Sequence, residues 1–329
     1  MANPGKIWTV GEILKFSSGY LRDKTGIESS KLDSELLLGE VLEMDRVHLF
    51  MNLDRPVSVE EREKFKSYLK RRIDGEPIAY ITGRKNFWTS SFRVTRDTLI
   101  PRADTEVVLE LALDYVNYSK GSFSCLDIGT GSGCLIVSLA KNIKEKVDKL
   151  KRSKEVKELA SEEESENISS DTDEPQDSKE EGKEVEPSFY YEAWDISEPA
   201  LEVARTNASE IIPSVDINFL ICDVLTLPDS ENKFDLIISN PPYIEPGDPR
   251  VDSSTKYEPR VALFAEDLVF YKKIAQEAKK ILDEQGVVVV EIGKDQKDRV
   301  VDIFSSEGFR LDKSLKDLAG IDRAVCFKK

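Results

Sequence analysis

The chain has 329 residues, of which 40% are hydrophobic and 33% charged, and its formal net charge at pH 7 is −16. This length and composition fit a soluble protein of two domains, and no apolar run reaches the ~18 residues of a membrane span. A single histidine, His48, excludes zinc sites built on several histidines. Four scattered cysteines without a C-x-x-C pair indicate reduced thiols and no metal site. With no export or transit segment visible, we expect a cytoplasmic protein.

The first 75 residues are predicted to form a small helical domain. Apolar residues recur at helical spacing over residues 13–21, 32–42 and 65–73, and the third segment starts with a capping box, Ser58-Val59-Glu60-Glu61. Residues 76–102 are predicted to be a linker that contains a β-hairpin over Asn86 to Leu99. The larger domain, residues 103–329, then opens with a helix from about Asp104 to Tyr118.

A glycine-rich turn follows the first apolar strand of the larger domain. Its spacing is G-x-G-x-G, whereas a dinucleotide site needs G-x-G-x-x-G. Asp127, two residues before the first glycine, would repel a pyrophosphate but attract the amino-acid ammonium of S-adenosylmethionine (SAM). The spacing and the acid therefore favour SAM over a nicotinamide cofactor. The predicted cofactor-binding residues in this turn are Asp127, Gly129, Thr130, Gly131 and Gly133.

Two more acids end the next two predicted strands. Asp195 follows the run Phe189 to Trp194, and an acid at the end of the second strand usually binds ribose hydroxyls. Asp223 follows the run Ile217 to Cys222 and could accept a hydrogen bond from an adenine amine. A helix N-cap or a solvated strand end explains either acid alone equally well. Together, three acids that each follow one of three successive apolar runs are a specific signal for a cofactor site.

The tetrapeptide Asn240-Pro241-Pro242-Tyr243 follows the apolar run Phe234 to Ser239. Consecutive prolines fix φ near −65° and remove two N–H donors, so the carbonyls and the Asn240 side chain are held outward as acceptors. Such an arrangement of acceptors is suited to binding an NH2 group. A simple strand-ending turn can have the same sequence, and the glycine turn upstream decides in favour of a catalytic site. We predict all four residues to be catalytic, with Asn240 also binding the cofactor.

An acidic segment interrupts the larger domain. Ser161 to Ser188 holds 12 acidic and 2 basic residues and almost no apolar side chains, which predicts a disordered insertion over about residues 150–188. Lys141 to Ala160, just before it, has helical spacing and is predicted to extend the first crossover helix. A partner-binding role and a merely tolerated insertion both remain open, the second being favoured.

The chain resembles the HemK/PrmC-type protein-(glutamine-N5) methyltransferases, which modify peptide chain release factors. The resemblance covers almost the whole chain outside the acidic insertion. It rests on the glycine turn, the Asn240 to Tyr243 turn and five further blocks: residues 75–83, 99–106, 195–201, 257–263 and 317–320. It implies an N-terminal helical domain that docks the release factor and a class I SAM-dependent methyltransferase domain. That domain is α/β and Rossmann-like, with a seven-stranded sheet whose last strand is antiparallel.

The resemblance also implies the substrate, the glutamine of the Gly-Gly-Gln tip of the release factor. Asn240 and the Pro241 carbonyl would then accept both amide protons, and Tyr243 would pack against the amide plane. An N6-adenine DNA or RNA methyltransferase is the alternative, because the same turn suits the adenine amine. The acidic composition disfavours it, although a basic stretch, Lys64 to Arg72, keeps it open. We expect no stable nucleic-acid or membrane binding, no metal, and a monomer.

Overall fold

The computed structural model describes residues 7–166, 187–226 and 232–329. Within these ranges no helix is both long and apolar enough to cross a lipid bilayer. The chain divides into two compact units. The first contains the chain up to Lys85, Ser91–Ile100 and Gly247–Arg260, and the second contains Asn86–Ser90, Pro101–Pro246 and Val261–Lys329. The domain boundaries at residues 75 and 102 stay a prediction.

The first unit contains five α-helices among its described residues. They are α1 (Val10–Thr25), α2 (Ser30–Leu42), α3 (Arg46–Met51), α4 (Val59–Ile73) and α5 (Ile78–Thr82). The three predicted helices correspond to α1, α2 and α4, and the predicted capping box of α4 is confirmed, since the side chains of Ser58 and Glu61 bond each other's backbone N–H. A core that includes Leu21, Leu37 and Leu49, all fully buried, joins the helices.

A segment far along the chain completes the first unit. Gly247–Arg260 follows the Asn240 turn in sequence, yet the Tyr257 hydroxyl donates to the Asp74 carbonyl at 2.9 Å. Buried Glu258 accepts from the Ile100 backbone N–H at 3.2 Å. Sequence reasoning did not anticipate this placement, because tertiary contacts alone bring these distant positions together.

The second unit is built on a seven-stranded sheet. The strands are β3 (Ser122–Ile128), β4 (Ser188–Asp195), β5 (Asn218–Ile221), β6 (Phe234–Ser239), β7 (Leu282–Glu291), β8 (Arg310–Lys316) and β9 (Asp322–Lys328). Their order in the sheet is β5-β4-β3-β6-β7-β9-β8. Pairing is parallel from β5 through β7, and β9, the last strand, runs antiparallel to both β7 and β8. The predicted seven-stranded fold with an antiparallel last strand is confirmed.

The helices of the second unit precede or connect these strands along the chain. They are α6 (Glu106–Leu113), α7 (Cys134–Glu166), α8 (Glu198–Ile211), α9 (Val269–Ile281) and α10 (Lys297–Ser306). Short 3-10 turns lie at Ala103–Thr105 in the second unit, at Ser253–Tyr257 in the first unit, and at Arg260–Ala262, where the chain passes from the first unit to the second. A core that includes Tyr271, Phe304 and Phe327 joins the sheet to α9 and α10, and the rings of Phe304 and Phe327 stack at 4.1 Å.

Three predicted boundaries are corrected by the structure. The hairpin strands are β1 (Arg84–Phe87) and β2 (Ser90–Arg93), so the hairpin ends earlier than Leu99. The helix expected from Asp104 to Tyr118 begins as a 3-10 turn and ends at Leu113, after which i→i−3 bonds from Asp114, Tyr115 and Val116 form turns. Helix α7 continues to Glu166, past the expected start of the insertion near residue 150. The rest of the predicted acidic loop, residues 167–186, lies outside the described part of the chain.

Candidate active site

The candidate site lies where the strand order of the sheet reverses. The chain moves outward from β3 to β4 and β5, then returns to the other side of β3 with β6 and β7. Open parallel sheets bind ligands at such a point, outside the carboxyl ends of the strands. The Ser239 hydroxyl donates to the Ile128 carbonyl at 2.6 Å, which ties the end of β6 to the end of β3. The glycine turn and the Asn240 turn therefore leave the sheet side by side.

The glycine turn has a backbone that only glycine adopts without strain. Gly129, Gly131 and Gly133 have φ of +76°, +55° and +78°. The backbone N–H groups of Gly129 and Thr130 both donate to the Trp194 carbonyl, at 2.8 and 2.9 Å, so the turn is anchored to β4. At Gly133 a Cβ would also lie 3.1 Å from the Ala204 Cβ on α8. The third glycine is thus needed for close packing as well as for its φ.

Asp127 lies beneath this turn and is only 1% exposed. Its Oδ2 accepts from the Thr130 hydroxyl at 2.7 Å, whereas Oδ1 has no hydrogen-bond partner among the described residues. Burial, opposed by the Thr130 bond and reinforced by the charge of Asp195, raises the pKa of this carboxyl to about 7. A buried carboxylate with an unused oxygen is what a ligand ammonium would satisfy, so the residue present fits the predicted cofactor.

Asp195 and Asp223 follow the ends of β4 and β5, at the same edge of the sheet as Asp127. Asp195 ends β4, and its Oδ2 accepts from the Gly131 backbone N–H at 2.8 Å, which fixes the middle of the glycine turn. Burial raises the pKa of the Asp195 carboxyl. The Cys222 N–H donates to the Asp195 carbonyl at 2.9 Å and so holds Asp223 next to it, while Asp223 Oδ1 accepts from the Leu225 N–H at 2.9 Å.

The Asn240 turn follows β6 directly. The Asn240 side chain is partly exposed, and its Nδ2 donates to the buried Thr105 hydroxyl oxygen at 3.2 Å. The Tyr243 hydroxyl donates to Glu291 Oε1 at 3.1 Å, and the Tyr243 carbonyl accepts from Gln296 Nε2 at 2.8 Å. Burial raises the pKa of Tyr243, so its hydroxyl keeps its proton. The two ends of the turn are therefore fixed by side chains from three other elements.

Sequence reasoning assigned no role to these supporting residues. Thr105 lies in a block that carries the family resemblance, and Glu291 ends a strand whose residues from Val287 to Val290 are all buried. An acid at the end of an apolar strand was the signal used for Asp127 and Asp195, and it was present at Glu291 as well. Gln296 had no comparable signal, because its bond to Tyr243 depends on the tertiary fold alone.

Comparison with known proteins agrees with this geometry. The sequence profile of the PrmC N-terminal domain matches residues 12–83, and that of an RMKL-like methyltransferase domain matches residues 130–310. A release factor glutamine methyltransferase of Geobacter sulfurreducens is 33% identical over 99% of this chain and 98% of its own. The chain belongs to the release factor glutamine methyltransferase family.

Other relatives have the same description. The release factor glutamine methyltransferase of Francisella tularensis is 33% identical over 90% of each chain. Among solved structures, a ribosomal protein L11 methylase from Lactobacillus delbrueckii covers 72% of this chain and 84% of its own, with 15% identity and a TM-score of 0.44. Membership of the release factor glutamine methyltransferase family makes this chain a SAM-dependent enzyme, in agreement with the order and direction of its strands.

Proposed function

We propose that this protein transfers the methyl group of SAM to the side-chain amide nitrogen N5 of the glutamine in the Gly-Gly-Gln tip of peptide chain release factors. The observation that supports this best is the turn Asn240 to Tyr243, which stands next to the glycine turn at the strand reversal. An amide NH2 needs two acceptors, and the Asn240 Oδ1 and the Pro241 carbonyl are two acceptors on consecutive residues.

The cofactor half of the site uses the three acids and the glycine turn. Asp127 is proposed to bind the ammonium, Asp195 the ribose hydroxyls and Asp223 the adenine amine. An ionised carboxylate has about four lone-pair sites, so Asp195 keeps acceptor capacity beyond its bonds to Gly131 and Ser197. Open space at the Cα of Gly129 and Gly131 lets a ligand approach the backbone closely. When bound, SAM supplies a methyl group already activated by its sulfonium.

In the acceptor half of the site, the protein orients the substrate amide. A glutamine amide nitrogen is a poor nucleophile, because its lone pair is delocalised into the carbonyl. Asn240 and the Pro241 carbonyl, by accepting both amide protons, would turn that lone pair toward the methyl group, and Tyr243 would cover the amide plane. Orientation can lower a reaction barrier by on the order of 7 to 11 kcal/mol, so no general base of matched pKa is needed before methyl transfer. Once methylated, the nitrogen releases one of its two amide protons to water.

The basic stretch from Lys64 to Arg72 gives little support to a nucleic-acid substrate. Within the first unit, Arg72 pairs with buried Asp33 at 2.7 Å, and Arg71 pairs with buried Glu76 at 2.7 Å. Partnered cations contribute less to phosphate binding than free ones. We propose that residues 1–75 dock the release factor, and that the protein acts as a monomer in the cytoplasm without stable nucleic-acid binding.

The test is methyl transfer from labelled SAM to an intact release factor, to the same factor with its Gly-Gly-Gln glutamine changed to alanine, and to duplex DNA. Label on the unmodified factor alone supports the proposal. Label on DNA, or on both factors alike, contradicts it. Asn240→Ala should abolish turnover with little change in SAM affinity, whereas Asn117→Ala, at an exposed position of the second unit, should leave both unchanged.

A further inference from the structure

Gln296 uses both ends of its side-chain amide to join two segments at the carboxyl edge of the sheet. Its Nε2 donates to the Tyr243 carbonyl at 2.8 Å, and its Oε1 accepts from the Gly293 backbone N–H at 3.0 Å. Because one end donates and the other accepts, the two bonds together fix the direction of the amide. Gln296 also precedes α10, and its own carbonyl accepts from the N–H of fully buried Val300 at 3.0 Å. The donor that holds the Tyr243 carbonyl is therefore anchored to a packed helix.

The peptide group that joins Tyr243 to Ile244 is held from both sides. Its carbonyl accepts from Gln296, and its N–H donates to the Leu263 carbonyl at 3.0 Å. Rotation of this peptide group would break both bonds. The end of the Asn240 turn is thus fixed by two hydrogen bonds from different segments of the second unit.

Two prolines connect this fixed peptide group to the proposed acceptors of the substrate amide. Pro241 and Pro242 lie between Asn240 and Tyr243, and their rings fix φ near −65°. With so few free dihedral angles, the acceptor turn, Asn240 to Tyr243, moves as a unit. A shift at its Tyr243 end therefore displaces the Pro241 carbonyl and the Asn240 side chain.

Gly293 leaves room for the two side chains that meet at this end of the turn. A Cβ at this position would lie 2.9 Å from the Tyr243 Cδ2 and 2.7 Å from the Gln296 Oε1. The φ of Gly293 lies outside the left-handed region, so these contacts, and not backbone strain, require the glycine. An added methyl group would displace the Tyr243 ring, the Gln296 side chain or both.

We propose that Gln296 is a positioning residue for methyl transfer, which fixes the acceptor turn by holding the Tyr243 carbonyl. Gly293 provides the space in which the Tyr243 ring and the Gln296 side chain are packed. The inference rests on the proposed function, because the place of the turn affects the rate only if Asn240 and the Pro241 carbonyl accept from the substrate amide. Neither Gln296 nor Gly293 touches the reacting atoms.

Three substitutions test the hydrogen bond and the space separately. Gln296→Met keeps the length of the side chain and removes both of its hydrogen bonds. Gln296→Glu keeps an acceptor for the Gly293 N–H, but its ionised carboxylate presents a second acceptor to the Tyr243 carbonyl until it binds a proton. Gly293→Ala adds the Cβ. The matched controls are Gln276→Met, at an exposed position of α9, and Gly121→Ala, whose Cβ would meet no heavy atom of the described residues within 4 Å beyond its chain neighbours.

Each variant is assayed for kcat with the release factor, for SAM affinity by calorimetry and for thermal unfolding. We expect Q296M and G293A each to lower kcat by about 10- to 100-fold at pH 8, with SAM affinity within about threefold of wild type, since misplaced catalytic groups cost on this scale. Q276M and G121A should keep kcat within about threefold of wild type, because neither position contacts the acceptor turn.

The pH dependence of Q296E separates positioning from packing. At pH 8 its carboxylate cannot donate, so kcat should fall at least as far as in Q296M. At pH 5.5 the protonated fraction of the carboxyl donates an O–H to the Tyr243 carbonyl. The kcat of Q296E relative to wild type should therefore rise by about threefold or more from pH 8 to 5.5, while that of Q296M relative to wild type stays constant.

Several results would overturn the inference. A kcat for Q296M within about threefold of wild type, or a loss no larger than that of Q276M, would show that the bond to Tyr243 does not set the rate. A ratio of Q296E to wild type that does not change with pH would point to packing, which needs no proton at this position. Should Q296M or G293A unfold at the assay temperature, the pH dependence of Q296E decides alone. Absence of release-factor methylation by the wild-type protein would instead refute the proposed function, on which the inference rests.

Discussion

Replacing Asp127 with asparagine should stabilise the ligand-free protein while weakening its binding of SAM. The carboxyl is 1% exposed, and burial raises its pKa from 3.8 to about 7. The folded state therefore binds the proton more tightly than the unfolded state, so this residue lowers stability as the pH rises from about 4 to 7. At 1.36 kcal/mol per pKa unit, the penalty is about 2 kcal/mol at pH 5.5 and about 4 kcal/mol at pH 8.

Asparagine removes this penalty at a smaller cost. Its carbonyl oxygen can still accept from the Thr130 hydroxyl, but its NH2 takes the place of Oδ1, which has no partner among the described residues. An unpaired buried NH2 costs about 1 to 3 kcal/mol at any pH. We therefore expect D127N to exceed wild type by about 1 to 3 kcal/mol at pH 8, with an advantage about 2 kcal/mol smaller at pH 5.5.

Urea unfolding of the ligand-free proteins at both pH values measures this difference, and calorimetry measures SAM affinity. D302N, at an exposed position on α10, is the control and should show the same difference from wild type at both pH values. SAM binding by D127N should be weaker than that of wild type at pH 8, because the ammonium loses its charged partner. A stability difference for D127N that does not change with pH, or shrinks from pH 5.5 to 8, would refute the reasoning.

Two further predictions concern the glycine turn and the first unit. Gly129→Ala should cost about 1 to 2 kcal/mol of stability from its positive φ alone. Gly133→Ala should cost about 1 kcal/mol more, because its Cβ would also meet Ala204. Urea unfolding measures both losses, and equal losses would show that the contact with Ala204 carries no cost. Glu76 has a pKa lowered to about 2, first by its bond to Arg71 and then by Arg96, so its stabilisation is present above pH 4.5 and is lost as the pH falls toward 2. E76Q should therefore be about 1 to 2 kcal/mol less stable at pH 7, with the difference vanishing in acid unfolding near pH 2; a difference that persists there would rule out the ion pairs as its cause.

The sequence predicted the elements whose signals are local. Strand β6 coincides with the apolar run Phe234 to Ser239, in which only Asp235 and Ser239 are polar, because such a run needs no distant partner to be recognised. The capping box at Ser58 was readable for the same reason, since all its bonds lie within four residues. Boundaries set by competing turns were less predictable, as the end of α6 at Leu113 shows.

The sequence by itself determined which residues could serve a methyl transfer: the acids after successive strands, the glycine turn and the acceptor turn at Asn240. The tertiary structure decided how those residues are supported. Gly247–Arg260 joins the first unit, the Thr105 hydroxyl accepts from the Asn240 side chain, and Glu291 accepts from the Tyr243 hydroxyl. Hydrogen bonds between distant segments depend on how the strands are ordered in the sheet, and a local sequence pattern carries no record of that order.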